Sequence, residues 1–421
     1  MTTNASTMHS PGPRWLDAVV AVVVGVAAYF FSCVLVPSDA VAKGFGVQWE
    51  LVSADPFAFP GELPQRFLAP LLSWLVGFRG APDWVLFTRG LSILFLATVF
   101  FFCRRRGSAW IDASLITVAV ALISPVQIYK QNWVGYSDDL TYAICFGMLL
   151  AARRSGVFWS LYFLALLNHE ASAFLLPWAW FVRRAEDARW RADAIGASLA
   201  IALYAAFYLY VKAVAPNQLF SSDYFAKHPL FPGGAFVAWC LVVTHWTLAF
   251  GPVLAVLGWH QFAKPRDPER KQLWWLLLGI GVIYCIAYDW SRHSNLVVIP
   301  LVIASIAFLR SGQRVVFVAL VAVGAVLMQI WSPWPVGSWP TSELIDREPN
   351  FLANVGVIVP VTTPDNRLAI GFGPLSAALG NWLPRVWPAL TCFVAGLAAI
   401  LAAGAWFARR APRVTAADRA A

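Results

Sequence analysis

The sequence is poor in charge: only 13% of its 421 residues are Asp, Glu, Lys or Arg, whereas a soluble domain carries about 25%. Hydrophobic residues make up 59% of the chain, and the mean hydropathy is +0.64. This composition excludes a water-soluble globule and also a disordered or collagen-like chain. It is typical of one polytopic membrane domain, because each helix that crosses a bilayer needs about 20 apolar residues.

Cysteine is also scarce, and none of the six cysteines forms a Cys-x-x-Cys pair or lies near a group of histidines. All six lie within or at the ends of apolar runs, so we interpret them as small buried hydrophobes. The chain also lacks a P-loop, a GxGxxG fingerprint and an HExxH motif. Nucleotide-driven and zinc-protease chemistry therefore have no support, and we predict neither a metal nor a cofactor.

Apolar runs recur along the whole chain, and the first extends from Leu16 to Val36. It is longer than the apolar core of a signal peptide, so we expect an uncleaved transmembrane helix. The run at 156–182 is too long for one span, and we divide it at Asn168-His169-Glu170 into two half-length segments. The other runs lie at about 84–103, 109–129, 140–152, 194–215, 234–258, 273–288, 295–310, 315–331 and 387–407. The sequence therefore predicts an all-α, polytopic transmembrane helical bundle of about 11–12 membrane segments, forming a single domain over residues 1–421.

Basic residues cluster where the predicted spans end, which fixes the expected orientation. The clusters fall at 104–106, 153–154, 183–191, 264–271, 310–314 and 409–413. They all lie on one side if the N- and C-termini are both cytoplasmic. The net charge of +9 therefore reflects topology and contact with anionic membrane lipids, and no nucleic-acid partner is expected. We predict a multi-pass protein of the inner or plasma membrane.

This orientation leaves three long loops outside, at 37–83, 216–233 and 332–386, and a cytoplasmic tail at 408–421. The first loop contains a short apolar run from Phe67 to Phe78. That run is too short to span and too apolar for solvent, so we predict a short interfacial helix. The third loop is rich in Pro and Trp and has the length of a small outer cap.

The first outer loop also carries the charged residues Asp55, Glu62 and Arg66. In a structural interpretation, Asp55-Pro56 starts a turn, and Arg66 extends its charged end from the short helix toward water. In a functional interpretation, a carboxylate held at the membrane surface has a raised pKa and acts as a base. The sequence leaves both interpretations open.

Two further groups of polar residues fall next to apolar segments. Asp138 and Asp139 begin a span, where Ser137 or Asp138 suffices as the N-cap and two adjacent acids perturb each other's titration. His169 and Glu170 interrupt an apolar run, where buried ionisable groups usually pair with each other or line a polar cavity. Structural and functional interpretations both remain open for these two groups.

A third group lies in the segment "DWSRH" and comprises Asp289, Arg292 and His293. The spacing of Asp289 and Arg292 fits an ion pair within one helix, whereas an outward-facing Arg–His pair is suited to bind a phosphate. By contrast, three acids in the first turns of helices that start from the cytoplasm are expected to favour the helix dipole: Asp17, Asp112 and Asp193.

These features together resemble the GT-C class of integral membrane glycosyltransferases, and they are similar to the bacterial relatives of the protein mannosyltransferases. The resemblance rests on Asp55 followed by "LPQRFLAPLL", on Asp138 and Asp139, on "NHE" at 168–170 and on "DWSRH" at 289–293. It covers most of the chain in layout: many spans, an acid in the first outer loop, a short interfacial helix and polar residues gathered outside.

The resemblance implies a polyprenyl-phosphate sugar donor whose headgroup lies at the outer surface. Asp55 is then the base that deprotonates an acceptor hydroxyl, and Arg66, Arg292 or His293 stabilises the departing phosphate. No metal is required, because phosphate is a fair leaving group. The residues expected to bind substrate are Glu62, Arg66, Asp138, Asp139, His169, Glu170, Asp289, Arg292 and His293.

Two other functions stay open at this point. In a proton-coupled transporter or flippase of the cell envelope, the acids at 138–139 and the pair at 169–170 would form a coupling relay. Nearly all ionisable residues fall at one predicted surface, however, whereas a transporter needs them on both sides of a midplane site. A non-catalytic envelope assembly protein is the third interpretation. The sequence predicts neither the donor sugar, nor the acceptor, nor the oligomeric state.

Overall fold

The computed structural model describes residues 13–35, 38, 40–43, 45–61, 63–123, 126–127, 130, 133–186, 190–215, 250–263, 267–286, 293, 295–331, 361–362 and 368–369. The α-helices are α1 Arg14–Leu35, α2 Phe45–Ala54, α3 Leu68–Leu75, α4 Asp83–Arg105, α5 Trp110–Ile123, α6 Asp138–Leu150, α7 Ser155–Asn168, α8 Leu176–Ala185, α9 Trp190–Val214, α10 Leu254–Ala263, α11 Lys271–Ile286, α12 Val298–Arg310 and α13 Arg314–Trp331. Short 3-10 helices lie at Pro56–Ala58, Glu170–Leu175, Gly251–Val253, Pro268–Arg270 and Asn295–Val297.

The predicted helical class is confirmed for this part of the chain. Three of the described helices, α1, α4 and α9, are long and apolar enough to cross a membrane. The predicted break near residue 168 is observed as well. There α7 ends, His169 takes an extended conformation, and a 3-10 helix leads into α8.

The first predicted outer loop contains more structure than the sequence indicates. A short helix, α3, is present where the interfacial helix was expected, but α2 precedes it and was not predicted. Helix α2 is short, and its buried side chains, such as Trp49 and Val52, are too few to give a clear pattern.

Little or nothing of the other two predicted loops and the tail is described. The loop at 216–233 and the tail at 408–421 lie outside the described residues. Within 332–386 the structure describes only an antiparallel pair, β1 Val361–Thr362 and β2 Leu368–Ala369, in which Val361 lies opposite Ala369.

Small residues bring the helices close together. In α1, a Cβ added to Gly25 would lie 2.9 Å from the backbone nitrogen of Ala97 in α4, so the two backbones are nearly in contact. In α9, a Cβ at Gly196 would lie 2.4 Å from the Trp159 ring of α7. Gly25 thus allows direct backbone contact and Gly196 makes room for an indole ring, as is common where helices pack tightly. Helices α1, α4, α6, α7 and α9 thereby form one continuous packed series.

Arginines gather at one end of these helices, which we call the arginine end. It is defined by three interhelical ion pairs: Asp17–Arg104 at 3.0 Å, Asp112–Arg314 at 2.8 Å and Asp193–Arg183 at 2.8 Å. The three acids lie in first turns, as predicted, and each also pairs with an arginine from another helix. Helices α1, α5, α9 and α13 therefore begin at this end, whereas α4 and α8 end there.

Candidate functional site

The sequence-predicted polar residues converge at the end opposite the arginines. Helix α7 begins at the arginine end, where Ser155 donates a hydrogen bond to Asp193 at 2.8 Å. It ends at Asn168, about 20 Å away at 1.5 Å per residue. Helix α6 runs the other way, because Ala152, just after its end, accepts a hydrogen bond from Arg183. The start of α6 and the end of α7 therefore meet at the same place.

An ion pair joins the first predicted loop to the end of α7. Arg66 donates to both carboxylate oxygens of Glu170, from Nε at 2.8 Å and from Nη2 at 2.5 Å, across 104 residues of sequence. The Arg66 side chain is 10% exposed, and its guanidinium lies 5.2 Å from the Trp49 ring centroid. A bidentate pair of this kind fixes the orientation of both groups. Arg66 is thus held inside the protein and does not extend to the surface.

His169 lies between Glu170 and Asp138. Its Nδ1 accepts the backbone N–H of Ala171 at 3.1 Å, so a neutral ring carries its proton on Nε2. Nε2 lies 3.5 Å from Oδ1 of Asp138, and Nδ1 lies 3.7 Å from Oε2 of Glu170. Both His169 and Asp138 are buried. A neutral His169 ring therefore carries its N–H on the side that faces the Asp138 carboxylate.

Asp139 points to a different neighbour from Asp138. Ser92 of α4 donates a hydrogen bond to Oδ2 of Asp139, whose side chain is buried. Within the described part of the chain, Oδ1 of Asp139 has no hydrogen-bond partner. Ser137 precedes α6 without making a side-chain cap. The two adjacent acids thus have different partners, His169 for Asp138 and Ser92 for Asp139. Both also lie in the first turn of α6, where a negative charge favours the helix dipole.

Two buried asparagines add unused hydrogen-bonding capacity near these residues. Asn168 donates to the carbonyl oxygen of Ser137 at 2.9 Å and to Thr141 Oγ1 at 2.8 Å. Among the described residues its Oδ1 finds no partner, and neither does either amide atom of the fully buried Asn295. Unpaired buried polar atoms are rare in native proteins, and they indicate a place for water or a polar ligand.

A small cavity opens among these groups. Asp138, Thr141, His169, Ser172 and His293 contribute to its lining. The rings of His169 and His293 lie 5.6 Å apart between centroids and nearly perpendicular. Its volume of about 20 Å³ accommodates roughly one water molecule. The cavity is therefore sized for a hydroxyl group or a water, with a carboxylate and two imidazoles around it.

The predicted base, Asp55, lies in a different environment. Its exposed carboxylate accepts the backbone N–H of Phe57 at 3.3 Å and caps the 3-10 helix at 56–58, which is the turn-starting arrangement. Nearby, burial raises the pKa of the Glu50 carboxyl. The catalytic role of Asp55 stays a prediction.

The structure thus brings together six of the sequence-predicted site residues: Arg66, Asp138, Asp139, His169, Glu170 and His293. The other predicted substrate-binding residues, Glu62, Asp289 and Arg292, lie outside the described residues.

Sequence reasoning missed a second buried polar group, formed by Lys130 and residues of α1. Lys130 is 1% exposed, donates to Ser32 Oγ and lies 5.4 Å from the Tyr29 ring centroid. Burial lowers the pKa of Lys130 to about 8. A basic residue on the predicted outer side, at the end of an apolar run, was the available signal. Ser92 and Asn295 were missed as well, and their signal was weaker, since each is a small polar residue within or at the end of an apolar segment.

Comparison with protein-family models, with curated proteins and with solved structures finds no match to this chain. Among the described residues, no group of three or more His, Cys, Asp or Glu side chains is placed to hold a metal ion.

Proposed function

We propose that this chain is a multi-pass membrane glycosyltransferase that moves a sugar from a polyprenyl-phosphate donor to an acceptor on the extracytoplasmic face. The observation that carries the proposal is a cluster at the end opposite the arginine end, in which Arg66, Asp138 and His169 are buried and Glu170 is partly exposed. Glycosyl transfer from a phosphate requires a cation that stabilises the phosphate and a base that accepts the hydroxyl proton. The arginine of this cluster is suited to the first role, and the carboxylate beside the imidazole is suited to the second.

The proposed topology follows from the same separation of charge. By the positive-inside rule the arginine end faces the cytoplasm, so the site faces outward in the inner or plasma membrane. Both termini are then cytoplasmic, and the chain has about 11–12 membrane segments. Helices α1, α4 and α9, which are long enough to span, support this arrangement.

In the proposed reaction the oxygen of an acceptor hydroxyl attacks the anomeric carbon of the donor sugar. The bond between that carbon and the phosphate oxygen breaks, and polyprenyl phosphate leaves with the electron pair. A carboxylate takes the hydroxyl proton, and the configuration at carbon inverts. Arg66 stabilises the charge that develops on the phosphate, which requires it to share or release Glu170.

Two carboxylates are candidates for the base. The resemblance to GT-C enzymes assigns that role to Asp55, whereas the geometry favours Asp138, because His169 orients it and it lines a cavity that admits one hydroxyl. Asp139, His293 and Asn295 are then placed near the acceptor side. Glu62, Asp289 and Arg292 keep their proposed substrate-binding roles.

Donor turnover by the purified chain in nanodiscs tests the proposal directly. Wild type is offered a panel of polyprenyl-phosphate sugars and compared with Asp138→Asn, Asp55→Asn and Glu170→Gln. We expect Asp138→Asn to reduce turnover by at least 100-fold, on the order of the contribution of a general base. Asp112→Asn is the matched control, since it alters an ion-paired carboxylate at the opposite end. Loss of turnover in Asp55→Asn but not in Asp138→Asn would move the base to Asp55.

A proton-coupled transporter is the second candidate, and one observation favours it. Two ionisable groups contact the packed helices: Lys130 donates to Ser32 of α1, and Asp139 of α6 accepts from Ser92 of α4. Wild type that consumes no donor but carries proton flux into liposomes, with the flux lost in Asp139→Asn, would support the transporter. If outer-site variants left both activities and the cellular phenotype intact, a non-catalytic assembly role would be supported.

A further inference from the structure

An apolar groove of about 520 Å³ lies between α8, α9 and α11 and extends from Leu176, at the start of α8, to Arg184 near the arginine end. Its lining includes the aromatic residues Trp180 and Phe181 of α8 and Trp275 of α11, together with the small residues Ala197 and Ser198 of α9. The rings of Phe181 and Trp275 are stacked at 5.9 Å between centroids. The volume is within the usual range for ligand pockets, roughly 300–1,000 Å³.

One charged side chain, Arg184, lies at the mouth of this groove among the described residues that line it. It is exposed in the last turn of α8, next to Arg183, whose guanidinium is buried against Asp193. The adjoining surface of α9 is apolar, and Ile195 and Leu199 are more than half exposed. The groove therefore opens onto an apolar surface, with a guanidinium at the end where the arginines gather.

We propose that this groove binds an acyl chain of one anionic phospholipid from the leaflet at the arginine end, with the lipid phosphate on Arg184. Indole rings favour the interface between headgroups and acyl chains, and arginine binds phosphate through paired hydrogen bonds. The apolar groove thus covers the acyl chain of the lipid, and the guanidinium at its mouth attracts the anionic headgroup. The polyprenyl donor does not fit this arrangement, because its phosphate is needed about 20 Å away, at the other end of α7.

This inference depends on the membrane topology proposed above. Only the exclusion of the polyprenyl donor depends on glycosyl transfer, so the lipid site and the reaction can each fail without the other. It is tested by native mass spectrometry of the full-length chain, titrated with phosphatidylglycerol or phosphatidylcholine of identical acyl chains. Arg184→Gln removes the basic mouth, and Ser198→Phe places a large side chain in the lining of the groove. Arg191→Gln is the matched control, because Arg191 is exposed at the same end but does not line the groove.

We expect wild type to bind the first phosphatidylglycerol about fivefold more tightly than phosphatidylcholine, the effect of one basic residue near a membrane surface. Arg184→Gln should abolish this preference, and Arg191→Gln should keep it. Ser198→Phe should weaken both lipids, provided that its elution and melting temperature match those of wild type.

Three results would overturn the proposal. The first is equal affinity of wild type for the two lipids. The second is an equal loss of preference in Arg184→Gln and Arg191→Gln, which would show attraction by the whole basic end and not by this groove. The third is displacement of phosphatidylglycerol by an equal concentration of polyprenyl phosphate, which would assign the groove to the isoprenoid chain.

Discussion

Single residues at the candidate site are held by partners far away in sequence. Each partner can therefore be substituted separately, and its contribution to stability can be measured. Arg66 and Glu170 form the clearest example, since each satisfies the other through two hydrogen bonds. Removing one partner of such a pair leaves the other charge without compensation, which costs more than the pair contributes. Single and double substitutions therefore give different results, and the difference reports the coupling between the two groups.

Arg66→Gln and Glu170→Gln should each lower the free energy of unfolding by about 1–3 kcal/mol, since Glu170 is partly exposed. The double variant should lose less than the sum of the two, with a coupling of about 1 kcal/mol or more. Denaturation in detergent measures stability, and donor turnover measures function. Additive losses would show that the two groups do not interact in solution.

Lys130 is the second residue whose environment predicts a measurable effect, here on pH dependence. Its pKa is lowered from 10.5 to about 8 in the folded protein, so folding opposes its protonation. The penalty is full below pH 8 and disappears as the pH rises toward 10.5. Lys130→Met should therefore raise stability by about 1–3 kcal/mol at pH 7, and this gain should vanish near pH 10.5.

Melting temperatures of wild type and Lys130→Met between pH 7 and 10.5 test this prediction. Ser32 retains its hydrogen bond to the Tyr29 carbonyl oxygen at 2.6 Å in the variant, so no new unpaired hydroxyl is created. Lys212→Met, in the exposed last turn of α9, makes the same substitution at the surface and is the matched control. A destabilised Lys130→Met at pH 7 would contradict the prediction and would show that the charge is compensated.

At the scale of helices, close packing depends on where glycine falls. Gly25 of α1 and Gly90 of α4 are both helical glycines, yet a Cβ at Gly25 would meet the α4 backbone at 2.9 Å, whereas a Cβ at Gly90 would meet nothing within 4 Å. Helix propensity alone favours alanine at both positions by about 1 kcal/mol. Packing therefore decides the sign of the effect at Gly25.

We expect Gly25→Ala to destabilise the protein by about 1–3 kcal/mol, because the α1 and α4 backbones must separate. Gly90→Ala should be neutral or stabilising by up to about 1 kcal/mol. Unfolding of both variants under the same detergent conditions gives the comparison. If both alanines stabilised the protein, the contact between α1 and α4 would be looser than the structure shows.

At the scale of the whole molecule, the separation of the arginine end from the candidate site predicts opposite accessibility across the membrane. Arg153, between α6 and α7, is 86% exposed on its side chain at the arginine end, and Ala58 is exposed in the first loop. In intact cells, a membrane-impermeant maleimide should label Ala58→Cys. Arg153→Cys should react only after permeabilisation, with wild type as the control for its native cysteines. Labelling of both variants, or of Arg153→Cys alone, in intact cells would refute the proposed topology.

The sequence by itself determined the helical class, the break near residue 168 and the identity of most polar residues at the candidate site. These follow from local properties: hydropathy over 20 residues, the cost of an ionisable group in an apolar run, and helix dipoles.

The pairing of Arg66 with Glu170 was not predictable, because 104 residues separate them and nothing in either segment specifies the other. Helix α2 and the buried Lys130 were missed for a related reason, since a short weak pattern and a single lysine acquire meaning only from what packs around them. Only the tertiary structure decided which acid faces His169, which caps a turn and which meets an arginine, because burial and partner choice are set by contacts between distant segments.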